Sequence, residues 1–363
     1  MEILTSIIFY FSSFIIVLSI IVFVHEFGHY YVAVLNKVKV ETFSIGFGKE
    51  ILGWKDKRGT RWKIGMLPFG GYVKMFGEEN FSTGKKIPSN LAKYAFSSKR
   101  IYQRFLIVLA GPLANFIFGI IGFAFIYSFI GKTYLPPIIN TVENNSPAFI
   151  AGLIKDDEII KIDNNTIKSF NDIGTAINLY KKKTYTFEVL RNNEIFNKDI
   201  SPIFVTEDFY GQERKIARIG ISSYEPIIKK HHFLESLYLG TQSTYQICSL
   251  TLKALHQMII GKGSIDDLGG PVKIAHFSGK MLEQGLLSFA NLIILLSISI
   301  GLINLFPIPM LDGGHLVLYV IEIFIGKPIE KNIQEKIFKI GFAIIITLAV
   351  LLTYNDIINL FKF

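Results

Sequence analysis

The stretch HEFGH, residues 25–29, combines residue types and a spacing that are typical of a zinc site. On a helix, residues four apart share a face, so His25 and His29 can present their imidazoles to one ion while Glu26 lies beside them. Two histidines and a third ligand leave one zinc position for water, and the metal lowers the pKa of that water to about 7. We therefore predict that His25 and His29 bind zinc and that Glu26 accepts a proton as the water attacks a carbonyl group.

The surroundings of this motif argue against histidines that are merely incidental on an amphipathic helix. The motif follows an uncharged apolar run at residues 3–24, and ionisable groups in a membrane helix are costly and usually functional. The pattern itself arises by chance in about one chain in a hundred. A metal site is therefore the better interpretation.

A third ligand should also be an ionisable residue that adjoins an apolar segment, and Asp312 meets that condition. It follows an apolar run in NLFPIPMLDGGH, residues 304–315, where Pro307 and Pro309 exclude a regular helix. His315 lies three residues further on and is a rival ligand, although a lone histidine more often supports such a site than binds the metal. We predict Asp312 as the third ligand and leave the role of His315 open.

The composition predicts an integral membrane protein. Half of the 363 residues are hydrophobic and the mean hydropathy is +0.40, and an uncharged run of about 20 residues spans the hydrocarbon core. We expect about four spans, within residues 3–24, 105–130, 285–311 and 340–355. The first and third have one span between them and so run in the same direction. Their polar motifs, both C-terminal, should reach the same membrane depth.

The charge distribution predicts the orientation of these spans. Residues 37–100 hold 14 Lys/Arg and 5 Asp/Glu, a net +9 that equals the net charge of the whole chain. We expect this loop on the cytoplasmic side of a bacterial cytoplasmic membrane, facing anionic membrane lipid, with the active site nearby. The loop after the second span should then be extracytoplasmic. No nucleic-acid partner is expected, because the charge adjoins membrane spans and no binding motif accompanies it.

The segments between the spans show the patterns of strands and turns. Residues 43–75 are rich in Gly, aromatic and β-branched residues with a turn signal at 56–59, so we expect hairpins that lie partly in the membrane. Residues 90–104 resemble a short amphipathic helix on the membrane surface. Residues 136–202 show alternating apolar and polar residues with turn signals between them, which is typical of a compact β-rich unit. AGPLANF, residues 110–116, interrupts the second span, and helix packing and a direct role are equally open for it.

Together these motifs resemble the site-2 protease family of intramembrane zinc metalloproteases, in particular the bacterial RseP-type branch with a PDZ domain. The resemblance rests on HEFGH, FGGYVKM, AGPLANF, GGPVKIA and NLFPIPMLDGGH, which cover nearly the full length. HExxH alone is moderately specific, whereas HExxH paired with NxxPxPxLDG is a strong signal.

The resemblance implies a fold and a reaction. The fold is a multi-spanning α-helical membrane protein of about four transmembrane helices, with a membrane-associated β-hairpin region and an inserted extracytoplasmic PDZ-like α+β domain. The reaction is zinc-dependent cleavage of the transmembrane segments of single-span membrane proteins, such as anti-sigma factors, or of signal peptide remnants. Zinc would be held by His25, His29 and Asp312, with Glu26 as the catalytic base.

Substrate contacts are expected in two segments. The resemblance assigns Asn304 and the strand-like segment with Pro307 and Pro309 to substrate binding. Strand edges within residues 43–75, including Gly70 and Gly71, can also pair with the unwound backbone of a helical substrate. A role in packing alone is equally open for both segments.

We expect seven segments: a first transmembrane helix with HExxH (1–34), a basic cytoplasmic-side loop with the β region (35–103), a second transmembrane helix (104–131), the PDZ-like domain (132–205), a linker region (206–284), a third transmembrane helix with NxxPxPxLDG (285–325) and a fourth (336–361). The alternative function is a non-catalytic membrane scaffold or transport component whose PDZ-like domain captures partners.

Overall fold

The computed structural model describes residues 2–78, 87–180, 182–208, 213–261, 269–327 and 329–361. Four of its helices are long and apolar enough to cross a membrane, at Ile8–Leu35, Ile101–Phe129, Leu286–Asn304 and Asn332–Ile358. Large apolar side chains on these helices, such as Phe11, Ile117 and Leu351, are about half exposed. Continuous apolar surface of this kind fits lipid rather than water, so the prediction of about four spans is confirmed.

The helices form where the sequence is continuously apolar or amphipathic. They are α1 (Glu2–Leu35), α2 (Ile101–Phe129), α3 (Pro147–Ile150), α4 (Phe170–Tyr180), α5 (Phe233–Ile259), α6 (Pro271–Glu283), α7 (Leu286–Asn304), α8 (Asp312–Ile325) and α9 (Lys331–Phe361). The third apolar span therefore ends at Asn304, and a new helix begins at Asp312 after the proline-containing segment.

The amphipathic helix expected at residues 90–104 is wrong in its first part. This segment forms two short 3-10 turns, Ala92–Tyr94 and Phe96–Ser98, before α2 begins. Ala95 between them has an extended backbone, and both Ala95 and Phe96 are buried. Burial of these two side chains bends the chain inward, which a continuous surface helix would not allow.

The strands follow the alternating, β-branched and aromatic segments. They are β1 (Val40–Lys55), β2 (Arg61–Met75), β3 (Lys132–Tyr134), β4 (Ile139–Val142), β5 (Glu158–Ile162), β6 (Asn165–Thr166), β7 (Tyr185–Arg191), β8 (Glu194–Ile200), β9 (Ile203–Asp208), β10 (Glu213–Arg218), β11 (Ile221–Ser223) and β12 (Ile227–Lys229). Four of them form an antiparallel sheet in the order β6-β5-β7-β8, and the others pair as β1-β2, β9-β10, β4-β11 and β3-β12.

The chain divides into two compact units. The first contains Met1–Phe123, Gly240–Cys248 and Gly269–Ile357, and the second contains Ala124–Leu239, Ser249–Leu268 and Ile358–Phe363. The motifs with candidate chemistry, HEFGH, AGPLANF and NLFPIPMLDGGH, all lie in the first unit.

The second unit has a core between its sheet and helix α4. Tyr185, Phe187 and Val189 of β7 alternate inward and are at most 1 % exposed, and they pack with Ile173 and Ile177 of α4. Within this unit β5 pairs with β6 and β7 pairs with β8, each in an antiparallel hairpin. Residues 136–202 therefore form a sheet with helices, as the turn signals predicted.

Residues 206–284, expected to be a linker region, contain regular secondary structure in their described part. The described part of this segment contains the β9-β10 hairpin, strands β11 and β12, and helices α5 and α6. Helix α5 carries a polar run, TQST at 241–244, in its first half. This run lowers the mean hydropathy and obscures a regular helix of 27 residues.

The β region of the first unit consists of β1 and β2, which pair with each other in more than one register. Residues 40–45 pair with residues 71–75, and residues 42–45 also pair with residues 61–64, which in turn pair with residues 52–55. Repeated register shifts within β1 allow this arrangement. The strands and the turn predicted within residues 43–75 are thus confirmed. The segment 71–75 has β1 as its strand partner, and among the described strands it pairs with no other.

Helix packing in the first unit brings the ends of α1 and α7 together. Val17 and Ile21 of α1 are fully buried against Phe289 and Ile293 of α7. Both helices continue from this contact toward their polar motifs, HEFGH on α1 and the segment after Asn304 on α7. The packing therefore fixes where the two motifs meet.

Candidate metal centre

The two histidines lie on one face of α1, as their spacing requires. Nε2 of His25 lies 3.3 Å from Nε2 of His29. On the far side of its ring, Nδ1 of His29 donates a hydrogen bond to the main-chain oxygen of Ile107 in α2, at 2.9 Å. This hydrogen bond holds the ring in place and leaves Nε2 of His29 without a proton in the neutral imidazole.

Asp312 is positioned by a compact turn between α7 and α8. The main-chain N–H of Leu311 donates to Ile308 at 3.1 Å and that of Gly314 donates to Leu311 at 3.0 Å. A Cβ atom on Gly313 would lie 2.2 Å from the main-chain oxygen of Phe306, so only glycine allows the turn to pack against the start of α8. The glycines that follow Asp312 thus serve the placement of its carboxylate.

The three predicted ligands converge. Oδ2 of Asp312 lies 3.1 Å from Nε2 of His25 and 3.5 Å from Nε2 of His29. Donor atoms at about 2.0–2.1 Å from a tetrahedral zinc ion are about 3.3 Å apart, and the three observed separations bracket that value. Oδ2 of Asp312 is buried and makes no hydrogen bond within the described part of the chain. Three donor atoms at these separations can bind one cation, so this group fits zinc.

Glu26 and the metal group line one cavity of about 790 Å³. The cavity also reaches residues 71–75 of β2, the segment that has β1 as its strand partner. A Cβ atom on Gly71 would lie 3.1 Å from Cγ of Glu26. The Glu26 side chain thus lies against β2 in the cavity that the two imidazoles also line. A carboxylate there can accept a proton from a water molecule held beside the three ligands.

The remaining predicted site residues divide into two groups. Gly70, Gly71 and Asn304 line the cavity. Pro307 and Pro309 are not among the described residues that line it: Pro307 is exposed, and Pro309 packs against Gly341 of α9. His315 lines the cavity with its ring 4.8 Å from that of Phe338, and within the described residues the close metal group contains only the two other histidines and Asp312.

The reasoning from sequence missed two further contributions of α2. Asn115 is fully buried with Nδ2 3.2 Å from Nδ1 of His25. Arg104 lines the cavity and forms an ion pair with Glu322 of α8. The signal for Asn115 was a carboxamide in an apolar span, and the signal for Arg104 was the only charged residue within residues 101–129.

Comparison with known proteins places this geometry in context. Residues 13–348 match the profile of peptidase family M50. A protein of Rickettsia conorii whose name assigns it to the zinc metalloproteases is 44 % identical, with 96 % of this chain and 99 % of that protein covered. One of Agrobacterium fabrum with the same assignment is 37 % identical, with 97 % and 96 % covered. The regulator of sigma E protease of Haemophilus influenzae is 29 % identical, with 96 % and 98 % covered.

Proposed function

The chain belongs to peptidase family M50, the site-2 protease family, and is a membrane-bound zinc metalloprotease; on this basis we propose that it cleaves peptide bonds within transmembrane segments. The observation that carries the proposal is the convergence of His25, His29 and Asp312 from two apolar segments, with donor atoms 3.1–3.5 Å apart. The position of these residues at the ends of apolar helices supports a reaction at a depth that a membrane-spanning substrate can reach. Family membership favours this enzyme over a non-catalytic scaffold or transport component.

We assign roles to four side chains. His25, His29 and Asp312 hold zinc, which when bound polarises the scissile carbonyl group and supplies an acidic water molecule. Glu26 accepts the proton of that water and delivers it to the leaving amide nitrogen. Its position in the cavity beside the imidazoles supports this role.

A helical substrate hides its carbonyl groups in its own hydrogen bonds, so cleavage requires an unwound segment with new partners. We assign this role to the edge of β2 at residues 71–75, which has β1 as its strand partner among the described strands and can take up a substrate segment by strand addition. Residues 71–75 all line the same cavity as Glu26, and this shared lining supports their assignment to substrate binding. Asn304, which lines the cavity from the end of α7, is assigned to the other side of the substrate.

The substrates we propose are single-span membrane proteins, such as anti-sigma factors, or signal peptide remnants. The name of the Haemophilus influenzae relative, which refers to sigma E regulation, supports this class. We further propose that the protein lies in the bacterial cytoplasmic membrane with its active site near the cytoplasmic side. The excess of 14 Lys/Arg over 5 Asp/Glu in residues 37–100 supports that orientation.

The sheet-containing segment at residues 132–205 is proposed to be an extracytoplasmic PDZ-like domain. It binds a substrate terminus or excludes substrates with bulky external domains. Its four-stranded sheet and helix α4 support a compact module with its own core. Protease added to the outside of intact cells should cut this segment and spare the loop at residues 37–100.

The test of the reaction uses the full chain in liposomes with a labelled single-span protein. Glu26→Gln should retain zinc and leave the substrate intact, whereas Glu194→Gln, a change of the same type at an exposed strand position, should cleave it like wild type. The mass of the products shows whether the cut lies within the apolar segment. Cleavage by Glu26→Gln at the wild-type rate, or a cut outside the apolar segment, would contradict the proposal.

A further inference from the structure

One face of α2 contacts both imidazoles of the metal group. Ile107, Gly111 and Asn115 are spaced by four and therefore lie on the same side of the helix. The main-chain oxygen of Ile107 contacts His29 and the side chain of Asn115 contacts His25, each at Nδ1. Between them, a Cβ atom on Gly111 would lie 2.3 Å from Nε2 of His29 and 2.9 Å from Nε2 of His25. Glycine is thus required for α2 to approach the metal group.

We propose that Asn115 is a positioning residue that accepts the Nδ1 proton of His25 through its side-chain oxygen and so keeps Nε2 of His25 free for zinc. This inference rests on the proposed zinc ligation by His25. It gives the motif AGPLANF a role at the metal group, in addition to the roles proposed for HEFGH and for the aspartate of NLFPIPMLDGGH.

The two imidazole rings point their Nε2 atoms toward the same atom. Nε2 of His25 and Nε2 of His29 both face Oδ2 of Asp312, so both rings bind through Nε2. A neutral imidazole carries one proton, and a ring that binds metal through Nε2 must carry that proton on Nδ1. The partner of each Nδ1 must therefore accept a hydrogen bond.

For His29 the partner is a carbonyl oxygen, which can only accept. For His25 the partner is a carboxamide, which can accept or donate, and its nitrogen faces Nδ1 at 3.2 Å. Oδ1 of Asn115 is buried and makes no hydrogen bond to any described residue. A half-turn of the amide exchanges oxygen and nitrogen with little change of shape. It gives Oδ1 a donor and gives His25 the tautomer that binds zinc.

The chemistry of the side chain fits this task. Asn115 is fully buried, and Ser297 of α7 donates to its main-chain oxygen at 3.4 Å, so the backbone on which the amide sits is itself held. A carboxamide accepts a hydrogen bond without adding a negative charge to a buried site that already contains Asp312 and Glu26. Groups that orient metal-binding histidines in this way typically contribute 10- to 100-fold to metal affinity.

The test measures zinc affinity of the full-length protein in detergent by competition with a chelator. Asn115→Leu, which has similar volume and no acceptor, should weaken zinc binding by about 10- to 100-fold. Asn115→Asp keeps an acceptor but adds a buried negative charge, so it should bind zinc more tightly than Asn115→Leu. Asn291→Leu is the matched control, because it makes the same change on α7, where the side-chain hydrogen bond is to Leu287 of the same helix, and it should bind zinc like wild type.

Two comparisons separate the failure of this inference from the failure of the zinc site itself. If His25→Ala loses zinc while Asn115→Leu retains wild-type affinity, the zinc site stands and the inference is overturned. If His25→Ala retains zinc, the proposed site is wrong. If Asn115→Asp loses as much affinity as Asn115→Leu, hydrogen-bond acceptance is not the reason.

A spectroscopic measurement on the unaltered protein avoids dependence on the folding of variants. The ¹⁵N spectrum of histidine-labelled, zinc-free protein should show His25 with its proton on Nδ1, and assignment follows from the signal lost in His25→Ala. A proton on Nε2 of His25 in wild type would overturn the inference. In Asn115→Leu the Nδ1 tautomer should lose its preference, a change that a purely structural role for Asn115 would not produce.

Discussion

Arg104 and Glu322 form an ion pair with 3.0 Å between Nη2 and Oε2, and their side chains are only 7 % and 2 % exposed. Arg104 lies in the first turn of α2 and Glu322 lies in α8, the helix that begins with Asp312. The guanidinium group also stacks over the ring of Tyr319, 4.9 Å from its centroid. The pair thus connects the helix that contacts both histidines to the helix that carries the third ligand.

Removal of one partner of this pair should destabilise the protein strongly. Glu322→Leu leaves a buried guanidinium group without its carboxylate, and we expect a loss of about 3–5 kcal/mol in the free energy of unfolding. The double variant Arg104→Met with Glu322→Leu should recover most of that loss, because no uncompensated charge remains. The midpoint of thermal unfolding in detergent measures both. Equal loss in the single and double variants would show that packing, not charge pairing, dominates at this contact.

Gly313→Ala should weaken zinc binding through the backbone alone. A Cβ atom there would lie 2.2 Å from the main-chain oxygen of Phe306 and 2.3 Å from that of Leu305, so the turn must shift and carry Asp312 with it. We expect at least a tenfold loss of zinc affinity, measured by chelator competition. Gly174→Ala in α4 is the control: a Cβ atom there meets nothing within 4 Å, so zinc affinity should not change. Unchanged affinity in Gly313→Ala would mean that the turn adapts without moving the carboxylate.

Asp356 should act as a tertiary cap of α6. Its carboxylate, in α9, accepts hydrogen bonds from the main-chain N–H of Gly270 at 3.2 Å and of Lys273 at 2.9 Å, and the residue is 2 % exposed. Asp356→Ala leaves both N–H groups without this acceptor and should cost about 1–3 kcal/mol. Asp356→Asn keeps one acceptor oxygen and should cost less.

Hydrogen exchange of the amides at the start of α6 measures this effect directly. Faster exchange in Asp356→Ala is expected to be confined to α6 and the facing part of α9. Thr353→Val, one turn earlier on α9, removes a side-chain hydrogen bond to Ala349 within the helix and should leave α6 protected. Equal exchange in the two variants would contradict a capping role.

The second unit should lose stability in acid through Asp163. Partial burial works to raise the pKa of Asp163, but hydrogen bonds from Lys182 and from the main-chain N–H of Thr186 outweigh it and hold the pKa below its ordinary value of 3.8. A carboxyl group with a lowered pKa in the folded state stabilises the fold above its unfolded pKa, and this contribution disappears as the pH falls through the folded pKa.

Amide exchange of residues 158–191 in the full chain, measured between pH 5 and pH 2, should therefore show lost protection beyond the intrinsic pH effect. Asp163→Asn should remove this component, since it cannot ionise. Lys182→Gln should reduce it only in part, because the hydrogen bond from Thr186 remains. Lys182 is about half exposed, so its share should be below about 1 kcal/mol. An unchanged profile in Asp163→Asn would assign the acid sensitivity to other groups.

The sequence by itself determined the elements that depend on local chemistry. Apolar runs long enough for a bilayer determined four helices, the spacing of His25 and His29 determined their shared face, and turn signals indicated the turn at residues 56–59 and the β-rich unit at residues 136–202. Asp312 was also predictable as a member of the metal group. It follows an apolar run between prolines and glycines, and an ionisable group at such a position is costly and usually functional. Its assignment as a ligand remains a proposal, as do those of the two histidines.

Only the tertiary structure decided the relationships that act through space. The contact of Asn115 with His25, the pairing of Arg104 with Glu322 and the folding of β1 across β2 join residues that are 90, 218 and up to 35 positions apart. No local period or motif encodes such partners, because a buried polar group selects its partner by proximity and hydrogen-bond complementarity after the helices have packed. The residue types along the chain therefore determine which atoms are available to the metal centre, and helix packing decides which of them face it.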